Sequence, residues 1–299
     1  MPSEPVLLPI REVTRLTGVN PVTLRAWERR YGLIVPQRTS KGHRLYSEAH
    51  VQRIRQILHW LNRGIAVSQV KPLLTATPAP QPAHGNDDWS TLQLQLTECI
   101  GQLAERRLDQ LFNQAMALYP AATLCEQLIL PLLAQLEMRW QGHVGARMEQ
   151  VFFHSWLRSK LGVRVYHNNR QLSRAPALLI NGSDLVFDPQ VWLCAWLVSE
   201  AGCAVEVFDW PLPARELALA VQRLQPCALV MCLNAAVDPR ELQRSLNVID
   251  LPKLLLGSTV SIYKQRLADG ELQATNVHLP STPMAVPGLL LALQATLHP

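Results

Sequence analysis

No run of this 299-residue chain stays apolar long enough to span a bilayer, because Arg, Gln, Glu or Pro interrupts every one. The opening stretch MPSEPVLLPIREV has no basic segment leading into an apolar one, so no secretory signal is expected and the protein is expected in the cytoplasm. None of the six cysteines (Cys99, Cys125, Cys194, Cys203, Cys227, Cys232) forms a CxxC pair or has a histidine at zinc-ligand spacing. Each falls in an apolar segment, where a reduced thiol behaves as a small hydrophobe. P-loop, GxGxxG and Ser/His/Asp patterns are also missing, which leaves an enzyme acting through the C-terminal region as the lesser reading. Asp184 and Asp188 read as loop caps rather than as an acid/base pair.

What is present is an ordinary globular composition, 48% hydrophobic and 17% charged, at a length that suits two or three domains. The net charge of +5 is unevenly spread. Residues 1–75 hold 12 Lys and Arg against 4 Asp and Glu, leaving 16 against 19 for the remainder. A basic head on a slightly acidic body implies a polyanionic partner at one end only. The proline-rich stretch TATPAPQPAHGN (75–86) reads as a linker, with the segment between domains taken as 76–88. From 89 to 172, apolar residues recur at three- and four-residue steps (Leu92, Leu96, Ile100, Leu103), the pattern of a four-helix bundle. From 173 to 299, apolar strand-like runs (ALLING, CAVEVFDW, CALVMCLN, KLLLGSTV) alternate with helix-like runs, as in a doubly wound parallel sheet of Rossmann-like type. The fold class is therefore multidomain, α and α/β.

The head, 1–75, reads as a winged helix-turn-helix. Asn20 caps a second helix that begins at Pro21 and carries Arg25, Trp27, Arg29, Arg30 and Tyr31; Val22, Leu24 and Ala26 are read as its packing side. A recognition helix needs such basic and hydrogen-bonding side chains in the major groove. A hairpin with Arg38, Lys41, His43, Arg44 and Tyr46 follows, turning at Gly42; Arg44 and Tyr46 share a strand face and are expected on phosphates. Trp27 and Tyr31 either touch DNA or seat the wing on the helix, and Arg29 and Arg30 either touch DNA or form a solvated face.

The string NPVTLRAWERRYGLIVPQRTSKGHRLYSEAHVQRIRQI resembles the DNA-binding domain of the MerR family, in the subgroup typified by CarH, LitR and MlrA, over residues 8–74. The resemblance implies a regulator that binds double-stranded promoter DNA as a dimer or higher homo-oligomer and acts on RNA polymerase there. It also implies DNA-contacting roles for Arg25, Tyr31, Arg38, His43, Arg44 and Tyr46.

The back half resembles the helical bundle and cobalamin-binding α/β domain of that subgroup, with departures. Cobalamin-binding members carry a Trp followed about ten residues later by Glu-His; here Trp140 precedes Glu149-Gln150. Where an Asp-x-His-x-x-Gly loop supplies the lower cobalt ligand, Phe187 takes the place of the His and Gln190 that of the Gly. A phenyl ring cannot ligate cobalt, so no cofactor is expected. His143, His154 and His167 fall on helices, none in that loop. A crevice built from Gly182–Asp188, Asn234–Asp238 and Gly257–Ser261, with Asn234, Gly257 and Ser258, could instead hold another ligand, or the domain could serve assembly or receive a separate sensor protein. A cobalamin-binding, light-responsive regulator is the alternative.

Overall fold

The computed structural model describes residues 7–74, 85–269 and 274–297. Its contacts gather into two units, Met1–Phe152 and Phe153–Pro299.

In the first unit the head comprises α1 (Ile10–Thr17), α2 (Pro21–Ala26), α3 (Glu48–Asn62) and α4 (Val67–Leu73), with strands β1 (Leu8–Pro9), β2 (Gln37–Arg38) and β3 (Arg44–Tyr46) in the order β1-β3-β2. Asn20 caps α2 as expected, its side chain accepting from the Thr23 amide at 2.9 Å. The helix then widens into a π-helical turn over Trp27–Tyr31, which Gly32 ends in the left-handed conformation (φ 57°). Such turns recur at functional sites and change the side-chain phase along a helix. The expected packing side needs one correction. Leu24 and Ala26 are buried, but Val22 is 57% exposed. Residues 22, 24 and 26 follow a strand's period of two; on a helix the buried positions are Thr23, Leu24, Ala26 and Trp27.

Residues 75–84 of the expected linker lie outside the described residues. The end of that segment is helical, because α5 (Gly85–Gly101) begins before Trp89. Asp88 in its first turn suits the positive end of the helix dipole. Then come α6 (Glu105–Leu118), α7 (Ala121–Leu124), a π-helical turn at Cys125–Ile129, α8 (Leu130–Arg139) and α9 (Ala146–Asn169). The π turn ends two residues before Pro131, which lacks the N–H of a regular helical bond, and the rod continues beyond it.

Head and bundle are bonded to each other. Trp27 is fully buried, and its indole Nε1–H donates to the Leu118 carbonyl at the end of α6 at 2.8 Å. Trp89 donates to the Gly64 carbonyl at 2.8 Å, and its ring lies 4.4 Å from that of Tyr119. The Tyr119 hydroxyl accepts from the Val67 amide at 3.3 Å, and burial pushes its pKa up to about 12.

In the second unit the strands β4 (Ala177–Asn181), β5 (Val205–Phe208), β6 (Ala228–Cys232), β7 (Lys253–Leu256) and β8 (Val277–His278) form one parallel sheet in the order β5-β4-β6-β7-β8. This is the expected doubly wound arrangement, with a fifth strand added. Leu178, Ile180, Leu229, Met231 and Leu255 pack against Leu217 of α11 (Ala214–Leu224), Leu242 and Leu246 of α12 (Pro239–Asn247), and Tyr263 of α13 (Val260–Ala268). α10 (Pro189–Glu200) contacts β4, β5, β6 and α14 (Val286–Leu297), and is buried nearly all round, as its uniformly apolar sequence requires. The C-terminal half of α9 joins this unit: the Asn169 side chain makes two hydrogen bonds to the Val205 backbone, at 2.7 and 3.1 Å, and Arg158 pairs with Asp209 at 2.6 Å. All six cysteines are free thiols, five of them buried.

Candidate nucleic-acid interface and the sheet-edge crevice

Val22, Arg25 and Arg29 stand at i, i+3 and i+7 and are all exposed, so they form one outward stripe on the recognition helix, with Arg30 exposed beside it. The wing is a tight hairpin. Gly42, at φ 81°, donates its amide to the Thr39 carbonyl at 2.8 Å, and the Thr39 amide bonds to the His43 carbonyl at 2.9 Å. Lys41 and His43 are exposed at its tip. The stripe and the tip carry Arg and Lys cations, an imidazole and one apolar side chain, the composition that base edges, a thymine methyl and phosphates require.

Two residues expected on DNA are elsewhere. Trp27 faces the bundle, as described, because a fully buried ring packed on α6 cannot enter a groove. Tyr46 is 1% exposed and packs edge-on against His50 at 6.1 Å. Arg44 and Tyr46 do share a strand face, but that face turns toward the recognition helix rather than toward solvent. Tyr31 is half-buried at the end of the π turn.

The sequence reading passed over Val22 as a surface residue and did not notice Glu28. The spacing of Val22 from Arg25 and Arg29 was the available signal for the first. For the second it was a lone acid among the arginines of the helix. Glu28 accepts from Arg38 Nη2 at 2.8 Å and from Arg44 Nε at 2.5 Å, so one helix carboxylate holds both strands of the wing. The two guanidiniums hold it below the usual carboxylate range although burial opposes them.

In the bundle, the structure does bring Trp140 and Glu149 together, with the indole Nε1 3.3 Å from Glu149 Oε2. That carboxylate is already engaged. Arg139 grips it with two bonds at 2.8 and 2.9 Å, and His143 Nε2 lies at 3.4 Å. Gln150 bonds instead to Arg147 at 2.8 Å. The Arg139 bonds chiefly hold the Glu149 pKa at about 2, against an ordinary 4.5. A carboxyl whose pKa is depressed by folding adds stability above its unfolded pKa and loses it as pH falls through the folded one. Glu149→Gln should therefore lower the thermal midpoint at neutral pH and shrink the loss of stability between neutral pH and about pH 3. A pH profile of unfolding identical to the parent's would contradict this placement.

At the carboxyl edge of the sheet the loops after β4, β6 and β7 are bonded to one another. Ser183 Oγ accepts from the amides of Asn234 and Ala235 at 2.9 and 3.1 Å. Asn234 Nδ2 donates to Asp188 Oδ2 at 2.8 Å, and Asn234 Oδ1 accepts from the Ser258 amide at 2.8 Å. Asp188 caps α10 through the Gln190 amide, and burial raises its carboxyl pKa. At Gly257 a Cβ would lie 2.2 Å from the Leu233 carbonyl oxygen, so the two loops meet backbone to backbone. α9 brings the His154 ring to 4.8 Å from that of Phe187. Ser183, Asp188 and Asn234 are thus bonded to one another or to the loop backbone, and the side chain at the expected ligand position is packed on a ring. Among the described residues, no group of three or more His, Cys, Asp or Glu could hold a metal ion.

Residues 8–77 match the model of the MerR HTH family regulatory proteins, and residues 92–164 match that of a B12 binding domain. The HTH-type transcriptional regulator MlrA of Salmonella typhimurium is 33% identical over 210 residues, covering 67% of this chain and 79% of that protein. The chain belongs to the MerR family. Within it, this regulator falls in the subgroup of MlrA and CarH. The HTH-type transcriptional repressor CarH of Myxococcus xanthus is 24% identical over 229 residues, 73% of this chain and 75% of that one. Among solved structures, the methanol:cobalamin methyltransferase complex MtaBC from Methanosarcina barkeri aligns at 13% identity and a TM-score of 0.36, over 79% of this chain and 92% of that one. That likeness is too low to argue from.

Proposed function

We propose that this MerR-family regulator reads duplex promoter DNA with the Val22, Arg25, Arg29 stripe in the major groove and the Lys41, His43 wing tip on phosphate. It assembles as a homo-oligomer on its operator, acts on RNA polymerase there, and performs no catalysis. Its functional segments are the head 1–75, the bundle and the α/β domain. Signals reach it through the bundle and α/β domain from a partner protein or a ligand other than cobalamin. The observation that carries the DNA reading is the exposed cationic stripe on a helix whose opposite side is anchored in the bundle. No helix among the described residues is long and apolar enough to cross a membrane. The cobalamin alternative is favoured by the B12 binding domain match and by the imidazole of His154 beside Phe187.

The test is selection by the full chain from a random duplex library, followed by titration over a salt series. An enriched site should emerge, with affinity falling steeply as salt rises through counterion release. Arg25→Ala should cost about 1–3 kcal/mol and relax sequence preference, because it removes a base contact. Lys41→Ala should weaken all sequences alike and reduce the salt slope by about one. If no sequence is enriched, or if the two variants behave the opposite way round, the assignment fails.

A further inference from the structure

Glu28 is the one acid on the recognition helix, and it lies where a DNA-binding surface has least use for one. Three observations define its situation. First, Arg38 and Arg44 are direct cross-strand partners in the wing hairpin. Like charges placed opposite each other destabilise a hairpin. Second, the Glu28 carboxylate takes one bond from each of them, at 2.8 and 2.5 Å, with only 14% of its side chain exposed. Third, β3 pairs with β1 on one side and β2 on the other, so the clamp ties the free strand, β2, as well as the central one to the recognition helix. Tyr46, two residues on from Arg44 in β3, is buried, with its ring against His50.

We propose that Glu28 is a positioning residue that sets DNA specificity by locking both wing arginines to the recognition helix and withholding their charge from non-cognate phosphate. This rests on the DNA-binding reading above. With the clamp closed, the wing is fixed relative to Arg25 and Arg29. A duplex then engages helix and wing together only if its phosphates suit that geometry. With the clamp open, two mobile arginines gain phosphate contacts on any sequence, which raises the sequence-independent term of binding without raising base readout.

The experiment measures affinity for the selected site and for an unrelated duplex of equal length across a salt series, using the full chain. Glu28→Gln keeps the size and loses the charge. The expected result is tighter binding to unrelated DNA, a steeper salt slope on it, and a fall of about tenfold in the ratio of specific to non-specific affinity. Arg38→Gln opens the clamp from the exposed strand and should also lower the ratio, without the gain on unrelated DNA. It supplies the decisive ratio if Glu28→Gln does not fold. A ratio within twofold of the parent's, whether both affinities move together or neither moves, overturns the proposal and leaves an ordinary surface ion pair. If the parent chain itself prefers no duplex, the DNA-binding reading fails, an outcome distinct from this one.

Discussion

Trp27→Ala is expected to destabilise the Met1–Phe152 unit by about 3–5 kcal/mol, a large part of the stability of an ordinary domain. The ring is fully buried, so its removal opens a cavity between the recognition helix and α6. Its loss also strands the Leu118 carbonyl, which accepts the indole N–H at 2.8 Å. Trp27→Phe separates the two contributions: it keeps most of the packing and loses the donor, and should cost about 1–3 kcal/mol. Denaturant unfolding followed by circular dichroism measures both. A cost below about 1 kcal/mol for Trp27→Ala would mean that head and bundle are not held together through this residue. The coupling has a functional side. Trp27 lies on the same turn and a half of helix as Arg25 and Arg29, so any change in the bundle that moves the end of α6 bears directly on the groove-facing stripe.

Much of this was legible in the sequence. The Asn20-Pro21 start, the Gly42 turn and four of the five parallel strands follow from local chemistry that tertiary contacts did not override. What was missed has physical reasons. β8 has two residues, too few for any alternation, and α14 (VPGLLLALQATL) is apolar all round, which removes the periodic signal. The roles of Trp27 and Tyr46 could not be read from residue type. An aromatic on a DNA-binding helix or wing looks the same in sequence whether it faces phosphate or core, and here contacts 91 positions distant for Trp27, and the turning of the wing onto the helix for Tyr46, decide it. Glu28 was passed over because a carboxylate among arginines has meaning only once the hairpin returns to meet it.

The sheet-edge crevice was the least legible feature. Ser183, Asp188, Asn234 and Ser258 are residue types suited to a polar ligand, and equally suited to bonding one another. Only the fold distinguishes the two, and in it they bond one another. On the proposed reading, a corrin seated at Phe187 would compete with that network and with the His154–Phe187 ring contact. Its cobalt would gain no ligand from Phe187. Each buried polar group left unpaired costs about 1–3 kcal/mol, so the disruption takes several kcal/mol from any binding energy before specific contacts are counted.

The central claim, that this regulator keeps the subgroup's architecture while taking its signal from something other than cobalamin, is tested most directly by titrating the full chain with adenosylcobalamin and methylcobalamin in the dark, then resolving protein from free corrinoid by gel filtration. The expected result is a protein peak without corrinoid bands in the visible spectrum and with an unchanged elution volume. Corrinoid absorbance eluting with the protein at close to one per chain would contradict the account. It would return a cobalamin-gated, light-responsive mechanism to first place.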